Sequence, residues 1–315
     1  MTQYSPFSAR GAALMPADDR SPPHPAWDAA AAGEGALAQE AALHARSLRQ
    51  SRLDGLARQV GIAVGRGILI AVVLGTWGYL SGRWVDRQAV SDPAEVLDAL
   101  IMLIATGRLW PDLWQTVIEV LSGYAIGAAI GAALALGLAL APAAKPVLRP
   151  FLLAFYSIPK IALAPLIVMW FGLGTAPKII LAAAFVFFVV FMNAVAGIDS
   201  VNPQQTQIVR VMGAGRIAVL RKVVLPTTVP FLIAGLRLAI PEALIGAVIG
   251  EFISANRGLG YLINAAASQF NTAVSLAAIV VLLAVVAIAD FALGLVERHL
   301  LRWRPQTLGR STARL

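Results

Sequence analysis

The sequence predicts an all-α membrane protein, a polytopic bundle of six transmembrane helices. Of its 315 residues 58% are hydrophobic and only 13% are charged. Mean hydropathy is +0.75, a balance that belongs to chains solvated by lipid rather than by water. Apolar runs near the required length of about 20 residues recur six times. Basic residues collect in alternate connections, which orients a chain across a bilayer. The net charge of +8 is therefore read as orientation rather than as a sign of nucleic acid. The absence of cysteine excludes a disulfide framework, a thiolate metal site and a cysteine nucleophile. His24, His44 and His299 lie outside the apolar runs and in no metal-ligand spacing.

Residues 1–60 carry no early apolar core followed by a small-residue cleavage site. Pro, Ala and Ser dominate them, with Arg46, Arg49, Arg52 and Arg58 near the end. They read as a disordered cytoplasmic tail whose basic end rests on anionic lipid. The transmembrane domain follows as 61–305 and a short cytoplasmic tail as 306–315. The six spans are expected at 62–82, 113–141, about 147–171, 177–198, 227–253 and 273–298. Arg46–Arg58, Lys145 with Arg149, Arg210–Lys222 and Arg298–Arg314 fall on one side, so both termini are expected in the cytoplasm. The stretch 92–112 is amphipathic and too short to span, and it is expected at the outer face with Trp110 and Trp114 at headgroup level.

Within the spans, Gly123, Gly127 and Gly131 recur every four residues, as do Gly246 and Gly250. This spacing lets helix backbones approach closely, within one chain or across a dimer seam. Pro159 and Pro165 break the third span, which is tolerable only where neighbours or a wet cavity satisfy the freed backbone. Ionisable residues in lipid are costly and mark pathways or buried pairs. Glu242, just after Pro241, lies near mid-membrane and is a candidate for the translocation pathway, with Arg237 as its possible structural partner. Glu119, Glu251, Pro159 and Pro165 are further pathway candidates, with anchoring of the loop that follows it as the alternative for Glu251. Asp290 reads as a bond to a neighbouring helix.

A polar island at 199–226, DSVNPQQTQIVRVMGAGRIAVLRKVVLP, interrupts the apolar runs. Ile208, Val209 and Met212 share one face of a short helix, with Arg210 turned away. Gly213 and Gly215 permit a fold-back. A second short helix is expected to place Ile217 and Leu220 on one side and Arg216, Arg221 and Lys222 on the other. Pro226 suits the first turn of the next span.

This island resembles the cytoplasmic coupling loop of ABC importer permeases. The family pattern runs Glu-Ala-Ala, three residues, Gly, nine residues, an apolar residue, one more, Leu-Pro. Gly213, Val223, Leu225 and Pro226 match its spacing, while Gln207, Ile208 and Val209 replace the opening triplet. The resemblance extends over about 92–305. IPK, PLIVMWFGLG, EFISANRGLGYLI and ADFALGLVERHLLRWRP look like the nitrate/sulfonate/taurine branch.

It implies the type I importer permease fold in a bacterial inner membrane, usually as a homodimer. Two ATP-binding cassette subunits would grip the coupling loops through Gln207, Arg210, Gly213, Arg216, Leu225 and Pro226. A periplasmic binding protein would deliver the solute. No phosphate-binding Gly-x4-Gly-Lys-Ser/Thr loop is present, so ATP would be hydrolysed by the partners and the chain itself is expected to be neither an enzyme nor a holder of cofactor or metal. Members often carry arginine four residues before the second-span glycine. Here Glu119 precedes Gly123, which with Glu242 leaves open a neutral or cationic heterocycle, such as a thiamine-pyrimidine precursor, beside a small anion. A secondary transporter would need no coupling island, a channel would need a ring of like residues, and a structural anchor would need no intramembrane charge.

Overall fold

The computed structural model describes residues 59–300 apart from 85, 87, 88, 142 and 255. Most of the expected N-terminal tail and all of the C-terminal tail lie outside the described residues. The chain divides into two units, Met1–Val73 and Leu74–Leu315. The described part of the first, 59–73, is helical with exposed apolar side chains. The helix it belongs to, α1, runs Gln59–Leu80.

The second unit contains the remaining helices, α2 to α11. The helix α2 (Pro93–Ala105) begins with Asp92, whose carboxylate accepts from the Ala94 amide at 3.1 Å, while Glu95 accepts from the Asp92 amide at 3.2 Å. This reciprocal pair satisfies amides that a helix start leaves free. The next helix, α3 (Leu109–Leu140), already includes Trp110 and Trp114. The amphipathic stretch is thus shorter than expected: Thr106, Gly107 and Arg108 turn the chain and both tryptophans belong to the span. Gly107, at φ +71°, supplies a backbone angle that side chains disfavour.

The third span is two helices bent by 80°. The first, α4 (Ala144–Ser157), stops where Ile158 takes the extended angles that a following proline favours. A tight turn, Lys160–Leu163, leads to α5 (Ala164–Phe171). The two prolines therefore do different things. Pro159 breaks the span, whereas Pro165 sits in the first turn of α5, where its missing amide costs nothing. With this pair counted as one span, the apolar helices number six among the described residues, as the hydropathy pattern predicts.

The helix α6 (Thr175–Asp199) is the axis of the unit. Leu181, Ala182, Val186, Val190 and Ala194 are all at most 1% exposed. Against it lie α3 on one side and α9 (Leu225–Ser254) on the other. A Cβ added at Gly131 would stand 2.8 Å from the Phe187 carbonyl oxygen, and one at Gly246 would stand 2.7 Å from the Ala182 Cα. Both glycine stripes close on α6 of the same chain, which decides for packing within the chain. In lipid such contacts drive association, because apolar side chains gain nothing by leaving apolar solvent.

Beyond α6, Asn202 caps α7 (Pro203–Val211), accepting from the Gln204 amide at 2.9 Å. Gly213 then reverses the chain at φ +85°. The short α8 (Arg216–Val219) passes through a wide turn at Leu220–Val224 directly into α9, with Pro226 in the first turn as predicted. Two outer helices finish the unit, α10 (Leu259–Ser268) and α11 (Thr272–Leu300). Together with α2 and the start of α3 they form a second apolar cluster around Leu103, Leu109, Leu259 and Ala278.

Candidate functional site: a buried outer lock and an exposed inner island

At the ends of α3, α6 and α9 farther from the basic island, the outer ends by the positive-inside expectation, the charged residues that the sequence scatters over more than a hundred positions come together. The Lys178 ammonium donates to Glu119 Oε1 at 2.8 Å, with the two side chains 5% and 0% exposed. Gln115 Nε2 donates to the same oxygen at 2.6 Å and to Thr175 Oγ1 at 3.2 Å. The Thr116 hydroxyl donates to Glu251 Oε1 at 2.6 Å and accepts from the Leu259 amide at 2.8 Å. The Gly260 amide donates to Glu251 Oε2 at 2.5 Å. Glu251 thereby places its carboxyl oxygens at the start of α10, where the first amides of a helix lack intrahelical partners. This explains the glycines of EFISANRGLG. Gly258 stands at φ +124°, and a Cβ at Gly260 would lie 2.7 Å from the Glu251 carboxylate. Asp112 completes the lock, accepting from the Gly258 amide at 3.0 Å.

Two expectations change here. Glu119 and Glu251 are buried to within 1%, so neither lines an open pathway in this conformation. Nor does Glu119 make the pore acidic, because Lys178 stands against it. The sequence reading missed Lys178. Its signal was an ionisable residue three positions inside an apolar span, the same signal that singled out Glu119. A cavity of about 540 Å³ opens just above this pair, lined by Gln115, Thr175, Lys178, Ser254, Asn256 and Arg257.

Arg237 is not the partner of Glu242. Its guanidinium donates to Asp290 at 2.6 and 2.8 Å and to Glu297 at 3.2 Å, so Asp290 does bond a neighbouring helix, as expected. Glu242 stands half-buried, and no ion pair reaches it among the described residues. Its depth follows from the packing of α9 along α6. Gly246 meets Ala182 and Gly235 meets Asn193, so the helices run antiparallel and Glu242 lies level with Val186, in the middle of α6.

The inner island is built the other way. Val219 and Val223 are buried against the bundle. Ile217 is 67% exposed while Leu220 is half-buried, so the two differ in exposure where the sequence put them on one side of the second short helix. Ile208, Val211 and Met212 are exposed at 60%, 89% and 80%. Arg210, Arg216, Arg221 and Lys222 are exposed around them, as are Gln207 and Gly213, while Leu225 and Pro226 are half-buried at the root of α9. A groove of about 500 Å³ runs between Arg210 and Arg216 and the end of α3 at Leu140.

Residues 123–302 match the family described as the binding-protein-dependent transport system inner membrane component. Among curated relatives, the riboflavin transport system permease protein RibX of Chloroflexus aurantiacus is 34% identical over 80% of this chain and 94% of its own length. The putative aliphatic sulfonates transport permease protein SsuC of Escherichia coli is 32% identical, covering 74% and 89%. The formylaminopyrimidine transport permease protein ThiX of Halalkalibacterium halodurans is 36% identical, over 49% of this chain and 61% of its own length. Among solved structures, the inward-facing MetNI methionine ABC transporter aligns with a TM-score of 0.54 at 21% identity, covering 61% of this chain and 95% of that chain, which fixes the fold. Six apolar spans, a broken third span and a basic island between spans four and five are thus the features of a known architecture, and the chain belongs to the inner-membrane permease family of binding-protein-dependent ABC importers.

Proposed function

We propose that this chain, paired with a second copy, forms the pore through which a small solute of the sulfonate, taurine or nitrate type is moved into the cytoplasm. Two ATPase subunits drive it and an exported binding protein supplies the solute at the outer face. The observation that carries this reading is the island at 203–225. It projects apolar side chains at Ile208, Val211, Met212 and Ile217 amid four cations, a surface suited to a groove on a soluble partner. Its root continues without interruption into α9, so movement of the island is movement of a span. Positive-inside asymmetry supports a cytoplasmic island with both termini on the same side. Glu242 and the break at Pro159–Pro165 stay on the pathway in this reading, at the level where the third span opens.

The likeness to RibX and ThiX favours a second reading, in which the solute is a heterocycle. Both readings share the coupling step, and one variant tests it. Gly213→Val forces a branched side chain onto a left-handed angle, at a cost on the order of 1–3 kcal/mol. The variant should insert normally, co-purify poorly with the ATPase and lose ATP-driven uptake. Normal capture with normal uptake would remove the coupling role.

A further inference from the structure

Lys160 stands in the break of the third span, and its surroundings differ from those of the other intramembrane cations in α3–α11. Lys178 is paired with Glu119 and Arg237 with Asp290 and Glu297. No carboxylate reaches Lys160 among the described residues. Its ammonium lies instead over three aromatic rings, at 5.2 Å from the centre of Tyr156, 5.3 Å from Phe185 and 5.5 Å from Phe188.

The difference is chemical. A carboxylate cancels an ammonium's charge, so a paired lysine presents nothing to a passing ion. Aromatic faces attract the cation through their quadrupole and carry no net charge, so the full positive charge remains on offer. The depth is also fixed. Phe185 is ten residues from the outer end of α6 at Thr175, about 15 Å at helical rise, and Phe188 is about as far from the inner end at Asp199. The ammonium therefore sits at the middle of the span, farther from either headgroup layer than a lysine side chain can snorkel. An uncancelled charge at that depth is costly unless water or an anion comes to it. The break at Pro159, whose freed backbone equally needs a wet or protein-lined setting, is where it stands.

We propose that Lys160 receives the anionic group of the solute at the bilayer centre, held ready by Tyr156, Phe185 and Phe188, so that the transported solutes carry a sulfonate or similar anionic group and are not neutral or cationic heterocycles without one. The proposal rests on the importer reading above and selects between its two solute classes. Glu242, at the same level, is the one acid among the described residues that could compete for the lysine in another conformation, and the test includes it.

The complete complex of permease, ATPases and binding protein is reconstituted in ATP-loaded proteoliposomes. The solute that the binding protein carries at purification is identified by mass spectrometry and used, radiolabelled, as the probe. That solute should carry an ionised anionic group at neutral pH. Lys160→Gln should lower its uptake by about tenfold or more at equal complex yield, the scale of one charge-assisted hydrogen bond, and Lys160→Arg should restore most of it. A solute with no ionised anionic group overturns the proposal, whether or not the Gln variant assembles. So does uptake unchanged in Lys160→Gln. Recovery of uptake in the double variant Lys160→Gln/Glu242→Gln also overturns it, since the lysine would then serve only to neutralise the chain's own acid. Uptake that needs no ATP sinks the importer reading as well, whereas ATP-driven uptake indifferent to Lys160 sinks this proposal alone.

Discussion

The outer lock and the inner island contain the same kinds of residue, and they are finished differently. At the outer end, Glu119, Lys178, Thr116 and Glu251 are buried and bonded to one another across three helices and a loop. At the inner end, cations and large apolar side chains stand in the open, and none of the described residues covers Val211 or Met212. In the lock, the Glu119 carboxylate is bonded through Oε1 alone, its buried Oε2 meeting no donor among the described residues. Removing one member of such a network orphans its partner at the cost of that group's desolvation. An exposed island carries no such demand, and it can remain incomplete until a partner arrives. The lock is therefore a matter of stability, and the island is a matter of assembly. Damage to the two should appear in different measurements.

The largest effect is expected at the lock. Lys178→Met leaves Glu119 buried and unpaired, a loss of roughly 3–5 kcal/mol. Little complex should be recovered from membranes. The double variant Lys178→Met/Glu119→Gln removes both charges and should regain much of the yield. A double variant no better than the single one would show that the pair is not the cause.

Overpacking comes next. Gly127 of α3 lies against the Ala183 backbone, with no space for a side chain, while Gly137 on the same helix has nothing within 4 Å of an added Cβ. Gly127→Leu should cost more than the roughly 1–3 kcal/mol typical of overpacked cores, since the obstacle is backbone. Gly137→Leu should be silent in the same thermal-stability assay. Equal losses at both positions would mean that the α3–α6 contact is not as close as the geometry has it.

These two sites also mark what the sequence could and could not say. The spans, the break at Pro159 and the island were legible, because length, proline chemistry and charge are local properties. The glycine stripes announced close packing without naming the partner helix. The Glu119–Lys178 pair was not legible. Its members are 59 residues apart, on spans that are apolar on nearly every side. A helix in lipid lacks the polar stripe that would reveal its rotation. The same gap explains why Arg237 was offered to Glu242 on its own helix rather than to Asp290 on α11. It also explains why Ile217 and Leu220 were put on one side: four residues, Arg216–Val219, are too few to show a period.

At the island the expectation inverts. Val211→Asp introduces a charge at a side chain that is 89% exposed, so the thermal stability of the isolated permease should hardly change. Burying a valine at an interface contributes about 1.5 kcal/mol or more, so affinity for the ATPase should fall by roughly tenfold or more. The measurement is ATPase co-purification at several salt concentrations. A stability loss with normal capture would place Val211 inside the permease rather than on its docking face.

The smallest effect separates the core of the lock from its edge. Gln115 donates to Glu119 from a half-exposed position and lines the outer cavity. Lys178 still neutralises the carboxylate when this amide is removed, so no buried charge is orphaned. Gln115→Leu should therefore cost about 1 kcal/mol, the net worth of one ordinary hydrogen bond, because water in the cavity can replace the lost donor. The informative quantity is the coupling between the two positions. In the background of Lys178→Met/Glu119→Gln there is no charged acceptor left for the amide to meet. There Gln115→Leu should cost still less, and the difference measures how far Gln115 acts through the ion pair. The experiment is thermal unfolding of the four variants in one detergent at matched scan rate. If Gln115→Leu alone is as damaging as Lys178→Met, the amide belongs to the buried core and the cavity does not reach it with water. The boundary between sealed lock and open cavity would then lie outside Gln115, nearer to Thr175 and Arg257.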